Sequence, residues 1–173
     1  INPFGTVRGT QGNLPFEMIK FRYLLIAAII LLDQIVKLAV RSLMYLGESI
    51  PVLENVFHIT YVQNRGAAFS MFSGSGLMLI IVPAIAILGA IWYMEKHKKE
   101  HWTLTLSLSL IIAGGIGNLI DRLSLGFVTD MLDFKIWSPV FNVADIGVCV
   151  GAGFLILYTL VFYGKTEKKT DSV

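Results

Sequence analysis

Cysteine occurs once in this chain, as Cys149, which excludes an intrachain disulfide framework and any multi-cysteine metal site. Charge is also scarce: Asp, Glu, Lys and Arg make up 15% of the residues, and a net charge of +2 without a basic stripe excludes a nucleic-acid surface. No internal repeat is visible, and no low-complexity stretch beyond a short charged tail. No serine stands in a nucleophile elbow with His and Asp nearby, and Cys149 lies in an apolar run with no base beside it. Serine or cysteine nucleophilic catalysis is therefore not expected. His58 falls in a β-rich segment, and His97 and His101 in a basic stretch. None of them accompanies the polar motifs described below, so neither zinc nor any other metal is expected.

What the chain has in abundance is apolar surface. Hydrophobic residues make up 55% of it, and the mean hydropathy is +0.70, the composition of an integral membrane protein. Four apolar segments, at about 21–46, 76–94, 102–120 and 141–163, each have the length a helix needs to cross the hydrocarbon. Residues 1–17, polar and rich in Gly, Asn and Pro, are set aside as an appended segment or flexible leader. Residues 18–165 form a single membrane domain, and 166–173 a tail.

Lys20 and Arg22 precede the first span, Lys96, Lys98 and Lys99 separate the second from the third, and Lys165, Lys168 and Lys169 follow the fourth. This bias places both termini in the cytoplasm and two longer loops, about 47–75 and 121–140, on the outer face. Val56 to Val62, rich in β-branched and aromatic residues and followed by Asn64-Arg65-Gly66, predicts a strand and turn; Phe127 to Asp130 predicts a second extended piece. The expected fold is an all-α membrane bundle of four transmembrane helices with a small extracytoplasmic β platform.

Four polar motifs interrupt the apolar chain: Asp33-Gln34-x-x-Lys37, Asn64-x-Gly66-Ala67-Ala68-Phe69, Gly117-Asn118-x-x-Asp121-Arg122 and Phe141-Asn142-x-Ala144-Asp145. Ionisable groups at membrane depth are costly and mark function by default. At 1.5 Å of rise per residue, Asp33 and Lys37 lie about 18 and 24 Å from the start of the first span, and Asn118 and Asp121 about 24 and 28 Å from the start of the third. Asn142 and Asp145 lie within about 6 Å of the outer end of the fourth. Polar groups from three spans thus converge just beneath the outer loops. Glycines 114, 115 and 117, and 147, 151 and 153, give small faces on which the third and fourth helices can pack closely.

Asp121, Asp130, Asp133 and Asp145 are the carboxylates near that depth, and two of them sharing a proton could activate a water. Asp33 with Lys37 is expected to be a buried structural pair, and Asp121 with Arg122 an ion pair holding a helix end. Asp145, with no cation in its own turn, is the strongest catalytic candidate. Its partner is left open between Asp130 and Asp121. A second reading of the same charges is a small transporter or proton relay, with Asp33, Lys37, Asp121, Arg122 and Asp145 along the path.

Taken in order, the motifs D-Q-x-x-K, N-x-G-A-A-F, G-N-x-x-D-R and F-N-x-A-D, over residues 18–163, resemble bacterial lipoprotein signal peptidase, the type II signal peptidase family. The resemblance implies an intramembrane aspartyl endopeptidase of the bacterial cytoplasmic membrane. It would act as a monomer among membrane lipids without cofactor, cutting prolipoproteins just before a diacylglyceryl-modified cysteine. It assigns the catalytic pair to Asp130 and Asp145, and supporting roles to Asn64, Asn118, Asp121, Arg122 and Asn142. Asp33 and Lys37 match the family's first-span polar pair, for which the structural reading is kept. The stretch from Asp130 to Phe141 is a few residues shorter than the family pattern, which bears on the loop's shape.

Overall fold

The structure is a computed structural model that describes residues 14–66, 76–97, 101–137 and 139–163. Its elements run α1 (Leu14–Leu43), β1 (Ser49–Leu53), β2 (Phe57–Asn64), α2 (Met78–Lys96), α3 (Trp102–Leu125), β3 (Val128–Phe134), β4 (Val140–Phe141) and α4 (Val143–Tyr158), and a π-helical turn (Thr159–Tyr163) continues α4. Four stretches of these helices, Lys20–Leu43, Met78–Lys96, Trp102–Leu125 and Val143–Val161, are long and apolar enough to cross a membrane. Helices satisfy every backbone donor within the segment, which is why the bilayer admits them.

The boundaries differ from expectation in three places. The first helix begins at Leu14, within the segment set aside as a leader, and stops at Leu43. The third runs on to Leu125, so Asp121 and Arg122 sit in a helix and not in the outer loop. Gly126 ends it in a left-handed conformation at φ 78°, with its N–H on the Arg122 carbonyl. The fourth starts at Val143 because Asn142 caps it, leaving Phe141 to the sheet. Ala67, Ala68 and Phe69 of the second motif and the 166–173 tail lie outside the described residues.

Helix α3 is the centre of the bundle and packs against α1, α2 and α4. Half of its span is buried against other elements (50%), against 11% for α2. The small residues explain the closest of these contacts. A Cβ at Gly114 would strike the Ala144 carbonyl of α4, and one at Gly151 would lie 2.7 Å from the Ser107 carbonyl of α3. Gly115 faces Ile87 of α2 instead, and Gly153 faces open space, so neither belongs to the α3–α4 seam. Side chains such as Leu24, Leu31, Ile85 and Leu88 stand exposed on the outside of the bundle, where lipid covers them.

At one end of the bundle lies an antiparallel sheet of order β1-β2-β3-β4. Between β2 and β3 the register passes from Ile59↔Leu132 to Val62↔Asp130, one extra residue on β2. This bulge sets the face on which the following β2 residues point. Asn64, two residues beyond Val62, then shares the face of Asp130 as its diagonal neighbour.

Candidate active site

The site is built from helix ends and two strands, β2 and β3. Asn142 caps α4: its side-chain Oδ1 accepts from the Asp145 N–H at 2.9 Å, while Asp145 Oδ2 accepts from the Asn142 N–H at 3.2 Å. This reciprocal box fixes Asp145 in the first turn. The spacing Asn142-x-x-Asp145 is the sequence signal for it, and a purely catalytic view of the motif passes over it. With its Oδ1 engaged, Asn142 turns its Nδ2 to Asp130 Oδ1 at 2.6 Å and to Asn118 Oδ1 at 3.1 Å. Asn118 Nδ2 in turn donates to Asp145 Oδ1 at 2.7 Å. Asn64 Nδ2 donates to Asp130 Oδ2 at 3.0 Å, and its own Oδ1 takes the Gly66 N–H at 2.8 Å, in a turn where Gly66 has φ 81°. Asp130 and Asp145 are thus joined through one residue, Asn142, and each is held by amide donors.

Asp130 is 2% exposed. Burial pushes its carboxyl up from the usual range to about 6, against the hydrogen bonds from Asn142 and Asn64, and Asp145 adds to the upward push while Lys37 opposes it. Asp145 is half-buried and lines a cavity of about 690 Å³ between α2, α3 and α4, with Asn64, Asn118 and Arg122 also at its wall. Further along the same cleft a second cavity of about 460 Å³ is lined by Gly89, Tyr93, Leu108 and Leu155.

Beneath this pair lies a fully buried ionic network. Lys37 Nζ is 2.9 Å from Asp33 Oδ2 and 3.5 Å from Asp121 Oδ2, both carboxylates being about 1% exposed. Asp33 also accepts from the Ala144 N–H at 2.9 Å, tying α1 to the start of α4. Its approach depends on Gly117, where a Cβ would lie 2.6 Å from Asp33 Oδ2. Asp121 accepts from the Thr129 N–H at 2.8 Å, which fixes the strand one residue before Asp130. The expected Asp33–Lys37 pair is therefore present. The expected Asp121–Arg122 pair is not: Asp121 meets Lys37 and, at 3.7 Å, Arg41, while Arg122 lines the cavity. Consecutive helical residues point in different directions, so neighbours in sequence are poor candidates for a pair.

Two participants were given no role from the sequence. Gln34 donates to Asp33, the Gly117 carbonyl and Asp121, at 3.1, 3.1 and 3.3 Å, and Arg41 donates to Thr129 Oγ1 at 3.0 Å. Asp33, Lys37 and Arg41 recur every four residues, a stripe that could have revealed Arg41. Asp133 drops out of the cluster because it alternates with Asp130 along β3 and faces the other way. Its carboxylate accepts from Thr60 at 2.7 Å, and the Lys135 ammonium holds it below the usual carboxylate range. Among the described residues no group of three or more His, Cys, Asp or Glu side chains is arranged to hold a metal ion.

The signal peptidase (SPase) II family profile matches residues 25–161. This chain belongs to the signal peptidase II family. The lipoprotein signal peptidase of Halothermothrix orenii is 49% identical over 136 residues, 79% of this chain and 92% of the relative. That of Clostridioides difficile is 44% identical over 145 residues, 83% of this chain and 97% of the relative. Two solved structures of bacterial membrane enzymes, at 1.9 and 2.3 Å resolution, superpose with TM-scores of 0.78 and 0.75. They are 28% and 29% identical and cover 83% and 82% of this chain, and 95% and 88% of their own chains. The four-helix membrane fold with its small antiparallel sheet is therefore that of a signal peptidase II, a bacterial multi-pass membrane protease of aspartic type, and the transport reading falls.

Proposed function

We propose that this signal peptidase II removes signal peptides from prolipoproteins with Asp130 and Asp145 as a water-activating pair. The observation that carries the reading is their shared attachment to Asn142, at 2.6 Å from Asp130 and 3.2 Å from Asp145, with Asp145 itself at the wall of the large cavity. A water between the carboxyls would lose its proton to the ionised member, while the protonated one polarises the scissile carbonyl. The proton then passes to the leaving amine. Asp130, raised by burial, is the member more ready to hold the shared proton.

The cleft between α2 and α4 suits a substrate that never leaves the bilayer. Its apolar wall would take the signal helix and the acyl chains of a diacylglyceryl cysteine, and β1–β4 would hold the extended chain near the scissile bond. Asn118 and Asn142 act by orienting the carboxylates, Asn64 by holding Asp130, Asp121 by fixing Thr129, and Arg122 by presenting a cation at the cavity wall. The termini lie in the cytoplasm and the site near the outer face, in keeping with the lysines and arginines at the cytoplasmic span ends. One chain suffices, because both carboxylates and their amide donors come from it.

The test is cleavage of a diacylglyceryl-modified prolipoprotein, read as a gel shift, by the parent and by Asp130→Asn and Asp145→Asn purified in detergent. Each variant should lose at least about 1,000-fold in rate while remaining folded, since each removes half of the proton-sharing pair. Turnover within tenfold of the parent in either variant would overturn the assignment.

A further inference from the structure

Lys37 does more in this network than neutralise Asp33. Its ammonium has only donors, and besides Asp33 it reaches Asn118 Oδ1 at 2.9 Å. That contact decides which way the Asn118 amide faces. With Oδ1 toward Lys37, Nδ2 must point away, and it is 2.7 Å from Asp145 Oδ1. The reverse orientation would set Nδ2 against the ammonium and Oδ1 against the carboxylate, donor on donor and acceptor on acceptor. The same Asn118 oxygen also takes one hydrogen of Asn142, whose Nδ2 serves Asp130. Donor direction thus runs outward from a single buried cation to both carboxylates.

We propose that Lys37 is a positioning residue for peptide cleavage, fixing the orientation of the Asn118 amide and through it the donors on Asp145 and Asp130. This rests on the assignment of Asp130 and Asp145 as the reacting pair. Lys37 itself is fully buried and is not at the cavity wall, so it acts on the chemistry without touching substrate. Its network holds Asp33, Gln34 and Arg41 on α1, Asn118 and Asp121 on α3, Asp130 on β3 and Asp145 on α4, and Arg122 of α3 feels the charges of Asp121, Asp130 and Asp145. Lys37 is the cation whose charge opposes the upward push on Asp130.

Replacing Lys37 alone would strand a buried Asp33 and risks unfolding the protein, so the informative variant is the double change Asp33→Asn with Lys37→Met. It removes both charges together and keeps an acceptor for the Ala144 N–H. If Lys37 serves only to neutralise Asp33 and Asp121, the double variant keeps parental kcat along with its thermal stability, since Asp33 is no longer charged and Asp121 retains Arg41 at 3.7 Å. If Lys37 orients Asn118, the variant stays folded with KM unchanged, but kcat falls about 10- to 100-fold, the effect of losing one directed hydrogen bond to a charged group. The alkaline limb of its pH–rate profile also moves to higher pH, because the Lys37 charge that opposes the upward push on Asp130 has gone. A folded double variant with parental kcat and pH profile overturns the proposal. Should the double variant fail to fold, Asn118→Ala decides instead, because parental kcat and pH profile in that variant would overturn the proposal. Failure of the catalytic assignment would appear separately, as turnover by Asp130→Asn or Asp145→Asn.

Discussion

Asp130→Asn should reverse the sign of its effect on stability between acidic and neutral pH while abolishing cleavage throughout. In the folded protein burial raises Asp130 from its ordinary 3.8 to about 6. The native state therefore holds this proton more tightly than the unfolded chain does. Its favourable contribution is full below the unfolded value, declines as pH rises through the interval, and is gone above about 6. At 1.36 kcal/mol per pH unit, ionising Asp130 costs the folded state about 3 kcal/mol at neutral pH. Asparagine has no such ionisation. It would keep the acceptor for Asn142 but set its Nδ2 against that of Asn64, whose Oδ1 is already held by Gly66. The lost hydrogen bond costs about 1–2 kcal/mol. The variant should therefore be less stable than the parent near pH 4 by that amount, and more stable near pH 8 by about 1–2 kcal/mol. For a chain of this size the Tm difference between the two proteins should swing by about 6–12 °C across the interval. Tryptophan fluorescence during heating in detergent is the suitable reading, because Cys149 is exposed and would react with a thiol dye before unfolding. A Tm difference that stays constant from pH 4 to pH 8, or swings the other way, would refute the argument.

Two further changes test the packing and the sheet. Gly114→Ala places a Cβ on the Ala144 carbonyl and should force α3 and α4 apart, lowering Tm by about 4–10 °C and slowing cleavage, because Ala144 adjoins Asp145. Gly153→Ala, which meets nothing within 4 Å, should leave both quantities unchanged. Asp133→Asn should leave cleavage intact and lower Tm at neutral pH. Since Lys135 holds the Asp133 carboxylate low, that gap should close as pH falls through and below 3.8. An Asp133→Asn enzyme that cleaves poorly would mean that the two faces of β3 are not functionally separate.

The helices were legible because lipid imposes a length of apolar chain that few other environments demand, and all four spans fall where that length occurs. Asp33 with Lys37 was legible for a similar reason, since a four-residue interval of opposite charges inside a span has few other uses. The pairing of Asp121 was not. Its cations come from α1, across the bundle, and nothing local in Gly117-Asn118-x-x-Asp121-Arg122 shows them. Arg41 was hidden by its position at a span end, although a cation at the end assigned to the outer face departs from the bias seen at the other loops. That Asn142 links Asp130, and not Asp121, to Asp145 could not be read from spacing, because it depends on a one-residue bulge in β2 and on the capping of α4.

The four carboxylates also divide by the kind of donor each receives, and this division separates support from chemistry. Asp33 and Asp121 each meet at least one buried cation and in addition accept a backbone N–H, from Ala144 and Thr129. Both are committed to partners that tie α1, α3, α4 and β3 together, which suits them to hold the site in place. Among the described residues the hydrogen bonds to Asp130 and Asp145 come from amides, those of Asn64, Asn118 and Asn142. An amide orients a carboxylate without pairing it directly to a full charge, the arrangement that the proposed proton-sharing pair needs. Exchanging one set of donors for the other would therefore damage the enzyme in either direction. A cation placed against Asp130 would favour its anion, and an amide in place of Lys37 would leave the buried Asp33 without its charge partner.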